Sequence, residues 1–113
     1  MIRELFTPLP CPADPQTTLG LEGCAEKAIL RTDRAIDSQV KVVFGLLGSE
    51  AARRSFVNGE RSWLAYRGAS CTAQVSNSAG GSLQPVVYGD CIAARNETHL
   101  TDLTGMRKAL GRH

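Results

Sequence analysis

Four cysteines, two histidines and eleven carboxylates are the residues of this 113-residue chain with chemical reach. Cys11 and Cys24 are spaced C-x12-C, and Cys71 and Cys91 C-x19-C. A structural zinc site needs close pairs such as C-x2-C, so the spacing speaks against metal and for disulfides. Disulfides persist in oxidising compartments, which points to a secreted, periplasmic or cell-envelope protein. The competing reading is four reduced, buried thiols packed as small hydrophobes. Nucleophilic catalysis needs a base beside the nucleophile, and the histidines are only His99 and the terminal His113. The chain has no Gly-x-Ser-x-Gly elbow, no phosphate-binding glycine loop and no His-Glu-x-x-His pair. The expectation is a binding protein without a cofactor, not an enzyme.

The elements that must position these residues follow from periodicity. Residues 1–16 are proline-rich and aperiodic, an extended arm leading into a single domain over 17–113. Leu21, Ala25, Ala28, Thr32, Ile36, Val40, Val43 and Leu47 recur at steps of three and four, which predicts one amphipathic helix from about Thr17 to Leu47. Gly48 stops it, and Ser49 with Glu50 starts the next. Ala52, Phe56, Gly59, Trp63, Tyr66, Ser70 and Ala73 carry that second helix to about Val75. The small residues Ser76 to Ser82 form a loop, in which Gly80 and Gly81 can supply positive φ. After Pro85, the line Ile92, Asn96, His99, Leu103, Met106 and Leu110 gives a third helix. The fold class is all-α: a long antiparallel helical hairpin with a third helix packed along it, stapled by disulfides.

The hairpin constrains the cysteines. Cys24 lies 24 residues before Gly48 and Cys71 lies 23 after it, so both fall at the far end, where the third helix begins with Cys91. Loop length favours Cys11 with Cys24 and Cys71 with Cys91, while a Cys24–Cys71 crosslink between the helices stays open. The same register sets Trp63 against Ile29, Thr32 or Ile36 of the first helix. Trp63 and Tyr66 read as core residues, Arg67 as a partner for Asp33 or Asp37, and His99 as a hydrogen-bonded core histidine.

The run Glu60-Arg61-Ser62-Trp63-Leu64-Ala65-Tyr66-Arg67-Gly68-Ala69-Ser70-Cys71, then Gly80-Gly81-Ser82 and Cys91, resembles the LprI-like lysozyme-inhibitor family of exported bacterial proteins. That family carries Gln-Arg-Ala-Trp-Leu-x-Tyr-Arg-Asp-x-Glu-Cys, a Gly-Gly-Ser loop and a cysteine opening the last helix. Upstream, Cys11, Cys24-Ala25 and Thr32-Asp33-Arg34-Ala35-Ile36-Asp37 match its cysteine pair and its Ala-Asp-x-x-Leu-Asn segment. The resemblance spans residues 11–103 and marks Asp33, Trp63, Tyr66 and Arg67 as its structural signature. Glu60, Gly68, Ser70, Asn96 and His99 stand where the family has other residues.

The resemblance implies a muramidase inhibitor acting by non-covalent occlusion of the glycan cleft. Asn77, Ser78, Gly80, Gly81 and Ser82 are the residues expected to enter that cleft, because a plug must be narrow and protrude. The alternative is a cell-envelope interaction module that binds another exported protein and no lysozyme. A net charge of +2 offers no steering toward a basic lysozyme. Scattered basic residues give no support for nucleic-acid binding. No apolar run reaches the ~20 residues of a transmembrane segment. Met1 to Pro10 is broken by Pro8 and Pro10 and does not read as a secretory leader, so export is not written in these residues.

Overall fold

A computed structural model of the chain describes residues 1–77, 81 and 83–111. Three helices follow one another: α1 (Thr18–Leu46), α2 (Glu50–Ser76) and α3 (Gln84–Leu110). Their ends are fixed by local chemistry. The Thr17 hydroxyl accepts from Gly20 N–H at 3.0 Å and the Ser49 hydroxyl from Ala52 N–H at 3.1 Å, each satisfying an orphan donor of a first turn. Glu50 adds negative charge at the α2 N-terminus, and Pro85 occupies the first turn of α3, where its missing N–H costs nothing.

The chain is all-α, a helical hairpin with a third helix along it, and no strand occurs among the described residues. α3 runs closely along α1 and less closely along α2, whereas α1 and α2 meet chiefly through side chains. Two disulfides, Cys11–Cys24 and Cys71–Cys91, join all four cysteines, leaving no free thiol. These are the pairs that loop length favours.

Ile29, Cys71, Cys91 and Ile92 form the core at the disulfide end, and Ile36, Val43 and Leu103 continue it along the rod. The N-terminal arm completes this core. Phe6 packs against it, Ile2 N–H donates to Asp37 Oδ1 at 3.0 Å, and Leu9 N–H donates to Glu26 Oε1 at 2.8 Å. The arm passes so close to α1 at Gly23 that a Cβ there would lie 2.1 Å from the Pro10 carbonyl oxygen. Gly89 performs a similar service between helices, its absent Cβ leaving room for the Ala25 methyl of α1. Rods of 49 × 29 × 21 Å leave little depth, so the few buried side chains must pack well.

Candidate functional site

The signature residue Arg67 is buried where arm and helices converge. Its Nη1 donates to Asp33 Oδ1 of α1 at 3.2 Å and to Asn96 Oδ1 of α3 at 3.0 Å, and its Nη2 donates to Glu4 Oε2 of the arm at 3.0 Å. Asn96 is itself wholly buried, its Nδ2 donating to Thr32 Oγ1 and Asp33 Oδ1, both at 2.9 Å. One guanidinium thus holds four segments in register. Asp33 Oδ2 is buried without a donor. Burial first, then a hydrogen bond with Glu4 and the charge of that carboxylate, raise the Asp33 carboxyl to about 7, opposed by Asn96 and Arg67. A proton on Asp33 makes its carboxyl a donor toward the Glu4 carboxylate. The Arg67–Asp33 pair expected across the hairpin is present, while Asp37 bonds the Ile2 N–H of the arm instead. Glu4 and Phe6 were not legible as site or core residues, since an aperiodic arm offers no pattern to place them.

Two aromatic expectations need correction. Trp63 is half-buried, and it stacks on His99 of α3, centroids 3.8 Å apart and planes 9° from parallel, rather than burying against α1. Asn96 and its neighbours on α3 occupy the face of α1 at that height, bonding Thr32 and Asp33, so Trp63 meets α3 first. Tyr66 is 58% exposed and is not core. In α2 the fully buried residues are Arg67 and Cys71, four apart, so the inward line runs one position beyond Tyr66 and Ser70. His99 bonds Glu60 at 2.7 Å, so the hydrogen bond expected of it is present, but the residue is part-buried rather than core. Glu60 thereby gives the departure from the family's wording a partner within this chain.

The loop expected to contact a partner is only partly within view, because Ser78, Gly80 and Ser82 lie outside the described residues. Its frame is clear. Asn77 caps the end of α2 and is exposed, and Gly81 has φ +97°, a backbone that disfavours residues with a Cβ. Gly81 O accepts from Gln84 N–H at 3.2 Å, closing a turn into α3. Cys71–Cys91 clamps the two helices five residues before the end of α2 and seven after the start of α3. Leu83, 54% exposed, stands on this turn and was missed by sequence reading; an apolar residue amid Ser, Gln and Gly was the available signal. Over residues 1–30, 67–77 and 84–95 the charged residues are Glu4, Asp14, Glu22, Glu26 and Asp90 against Arg3, Lys27, Arg67 and Arg95, with Arg67 committed to Glu4 and Asp33. The loop end of the rod therefore carries a slight acidic excess, although the chain as a whole is basic.

Among the described residues no group of three His, Cys, Asp or Glu side chains could hold a metal ion, and no helix is long and apolar enough to cross a membrane. No curated protein and no solved structure matches the chain. A family model does, over residues 11–103, from the first cysteine through the Arg67 cluster to the buried Leu103: its description is lysozyme inhibitor LprI. With four-fifths of the sequence inside that match, the chain belongs to the LprI lysozyme-inhibitor family.

Proposed function

We propose that the chain is an exported binding protein that inhibits a lysozyme-type muramidase by inserting the turn between α2 and α3 into the glycan cleft. Family membership supports the class of activity. The observation that carries the choice of surface is the Cys71–Cys91 clamp, which holds both roots of one short connection at the end of the rod. Clamping lowers the entropy lost on binding, and exposed backbone N–H groups there can donate to the paired carboxylates of a muramidase. Charge supports the same end. A net charge of +2 predicts no steering toward a basic enzyme, but the acidic residues around the turn create a local field of the right sign.

The test is muramidase turnover of peptidoglycan with the chain added. Inhibition that saturates at a one-to-one ratio is expected, and Asn77→Trp should abolish it with an unchanged melting temperature, because Asn77 is exposed and bulk there blocks entry. Gly81→Val is a poorer probe, since its φ strains a β-branched residue even though the surrounding space is open. Full turnover at excess chain overturns the proposal and leaves the envelope-module reading. Inhibition undiminished in Asn77→Trp moves the binding surface away from the turn.

A further inference from the structure

α1 and α3 run parallel, with Gly89 against Ala25 and Asn96 against Thr32, while α2 runs back between Arg67 and the hairpin turn. The C-terminal ends of α1 and α3 and the N-terminal end of α2 therefore gather at one pole, opposite the Cys71–Cys91 turn. That pole is basic. Lys41, Arg53, Arg54, Arg61, Arg107 and Lys108 fall there, against Asp37, Glu50, Glu60 and Asp102. Glu60 is committed to His99. None of the six cations joins an ion pair among the described residues, whereas the pairs that do form, Arg67 with Glu4 and Asp33 and Arg31 with Glu97, lie outside the pole. Arg53, Arg54 and Arg61 ring a concavity of ≈ 560 Å³ with Phe44 and Asn58 in its wall, and Glu50 also lines it. The Arg53 guanidinium sits 5.5 Å over the Phe44 ring, which holds it in place without neutralising it.

Apolar groups are bare at the same pole. Val42, Phe44, Leu46 and Met106 are 41–43% exposed. Val42 and Leu46 share a face of α1, while Phe44 lies about 200° round the helix on the other side. A protein partner is met by one contiguous apolar face, but these residues are divided between two sides of α1 and the neighbouring α3. A surface that accepts separate apolar side chains at the end of a rod, and that carries dense negative charge, is an anionic membrane.

We infer that this pole docks on an anionic lipid bilayer, its arginines taking phosphate headgroups in the concavity while Val42, Phe44, Leu46 and Met106 enter the interfacial layer. Basic residues supply attraction and shallow apolar insertion supplies adhesion, the two contributions of a peripheral membrane site. Guanidinium groups suit the headgroup because they offer paired donors to phosphate oxygens. The rod is 49 Å long, so a chain seated this way holds its disulfide-clamped turn away from the bilayer. This inference does not rest on muramidase inhibition.

Sedimentation of the full chain with large vesicles tests it. The chain is expected to pellet with equimolar phosphatidylcholine and phosphatidylglycerol at low ionic strength and to stay in the supernatant with phosphatidylcholine alone. Arg54→Gln with Arg61→Gln should weaken binding on the order of tenfold or more. Leu46→Ser should weaken it several-fold, and added salt should weaken it further. Lys27→Gln, an exposed basic residue at the opposite end, should leave binding unchanged, and the melting temperature of every variant should match the parent. Equal behaviour with both vesicle types overturns the inference. So does charge-dependent binding that ignores Leu46→Ser and is matched by soluble polyglutamate, which would make the pole a site for acidic polymers instead.

Discussion

Arg67 has three oxygen-bearing partners and only 7% exposure, and a buried charge of this kind is most costly when it is broken on one side. Arg67→Ala leaves Glu4 and Asp33 facing each other without a cation and should destabilise by about 3–5 kcal/mol in urea denaturation with disulfides intact. Asp33 gives a pH signature of known sign. Its carboxyl is raised from 3.8 to about 7, so the native state holds a proton that the unfolded chain releases. That contribution favours the fold fully below the unfolded value and is lost as pH rises from about 4 toward 7. Asp33→Asn mimics the protonated form and keeps an oxygen for Arg67 and an amide to donate toward Glu4. Melting curves across that range should show the variant flatter than the parent, and more stable than it above pH 7 relative to their difference at pH 4. A parent whose stability rises through the interval, with Asp33→Asn sharing the rise, would exclude the protonated carboxyl.

At the scale of elements, the arm behaves as a fourth packing segment, although residues 1–16 contain no helix or strand. It is held by Cys11–Cys24, by backbone donors to Asp37 and Glu26, by Glu4 on Arg67 and by Phe6 in the core. Its closest approach is at Gly23, where a Cβ would meet backbone at 2.1 Å and neither side is a flexible side chain. Gly23→Ala must lift the arm near Pro10 while leaving α1 intact. The expected outcome is cleavage between Met1 and Pro10 by limited proteolysis under conditions in which the parent resists, with helical circular dichroism unchanged. Resistance equal to the parent would mean that the arm and α1 can separate by the needed distance without losing Phe6. The lean packing of α2, with only Arg67 and Cys71 buried, makes the Arg67 cluster, Cys71–Cys91 and the Trp63–His99 stack the main ties of that helix.

Over the whole molecule, charge is distributed along the rod rather than balanced within each part. The net +2 combines a basic pole at the helix ends with a slight acidic excess at the clamped turn. Steering depends on the local field near the docking surface, so the average charge is the wrong quantity for judging a partner. Association of the chain with a basic muramidase should therefore slow as salt is added, and Glu22→Lys with Asp90→Lys should slow it further while leaving the dissociation rate nearly unchanged. Stopped-flow mixing at two ionic strengths reads both rates. An association rate indifferent to salt and to the two substitutions would separate this acidic excess from recognition.

The sequence by itself determined the three helices, the start of the second at Ser49 and the family, and it favoured the disulfide pairs that form. Those features rest on interactions within a few residues or on a motif that survives in the linear order, so spacing is enough to read them. The Arg67 contact with Asp33 was legible too, because both residues sit on a hairpin whose register follows from Gly48. What the tertiary structure decided was which face of each helix turns inward. Trp63 and Tyr66 lie on a respectable apolar line, yet α3 runs along α1 and shifts the inward line of α2 to Arg67 and Cys71. Glu4 and Phe6 became part-buried through contacts with residues far along the chain, 63 positions away for Glu4 and Arg67. No local pattern encodes such a contact, since burying a charge depends on partners brought by other elements, and those partners are assembled only when the arm and all three helices close together.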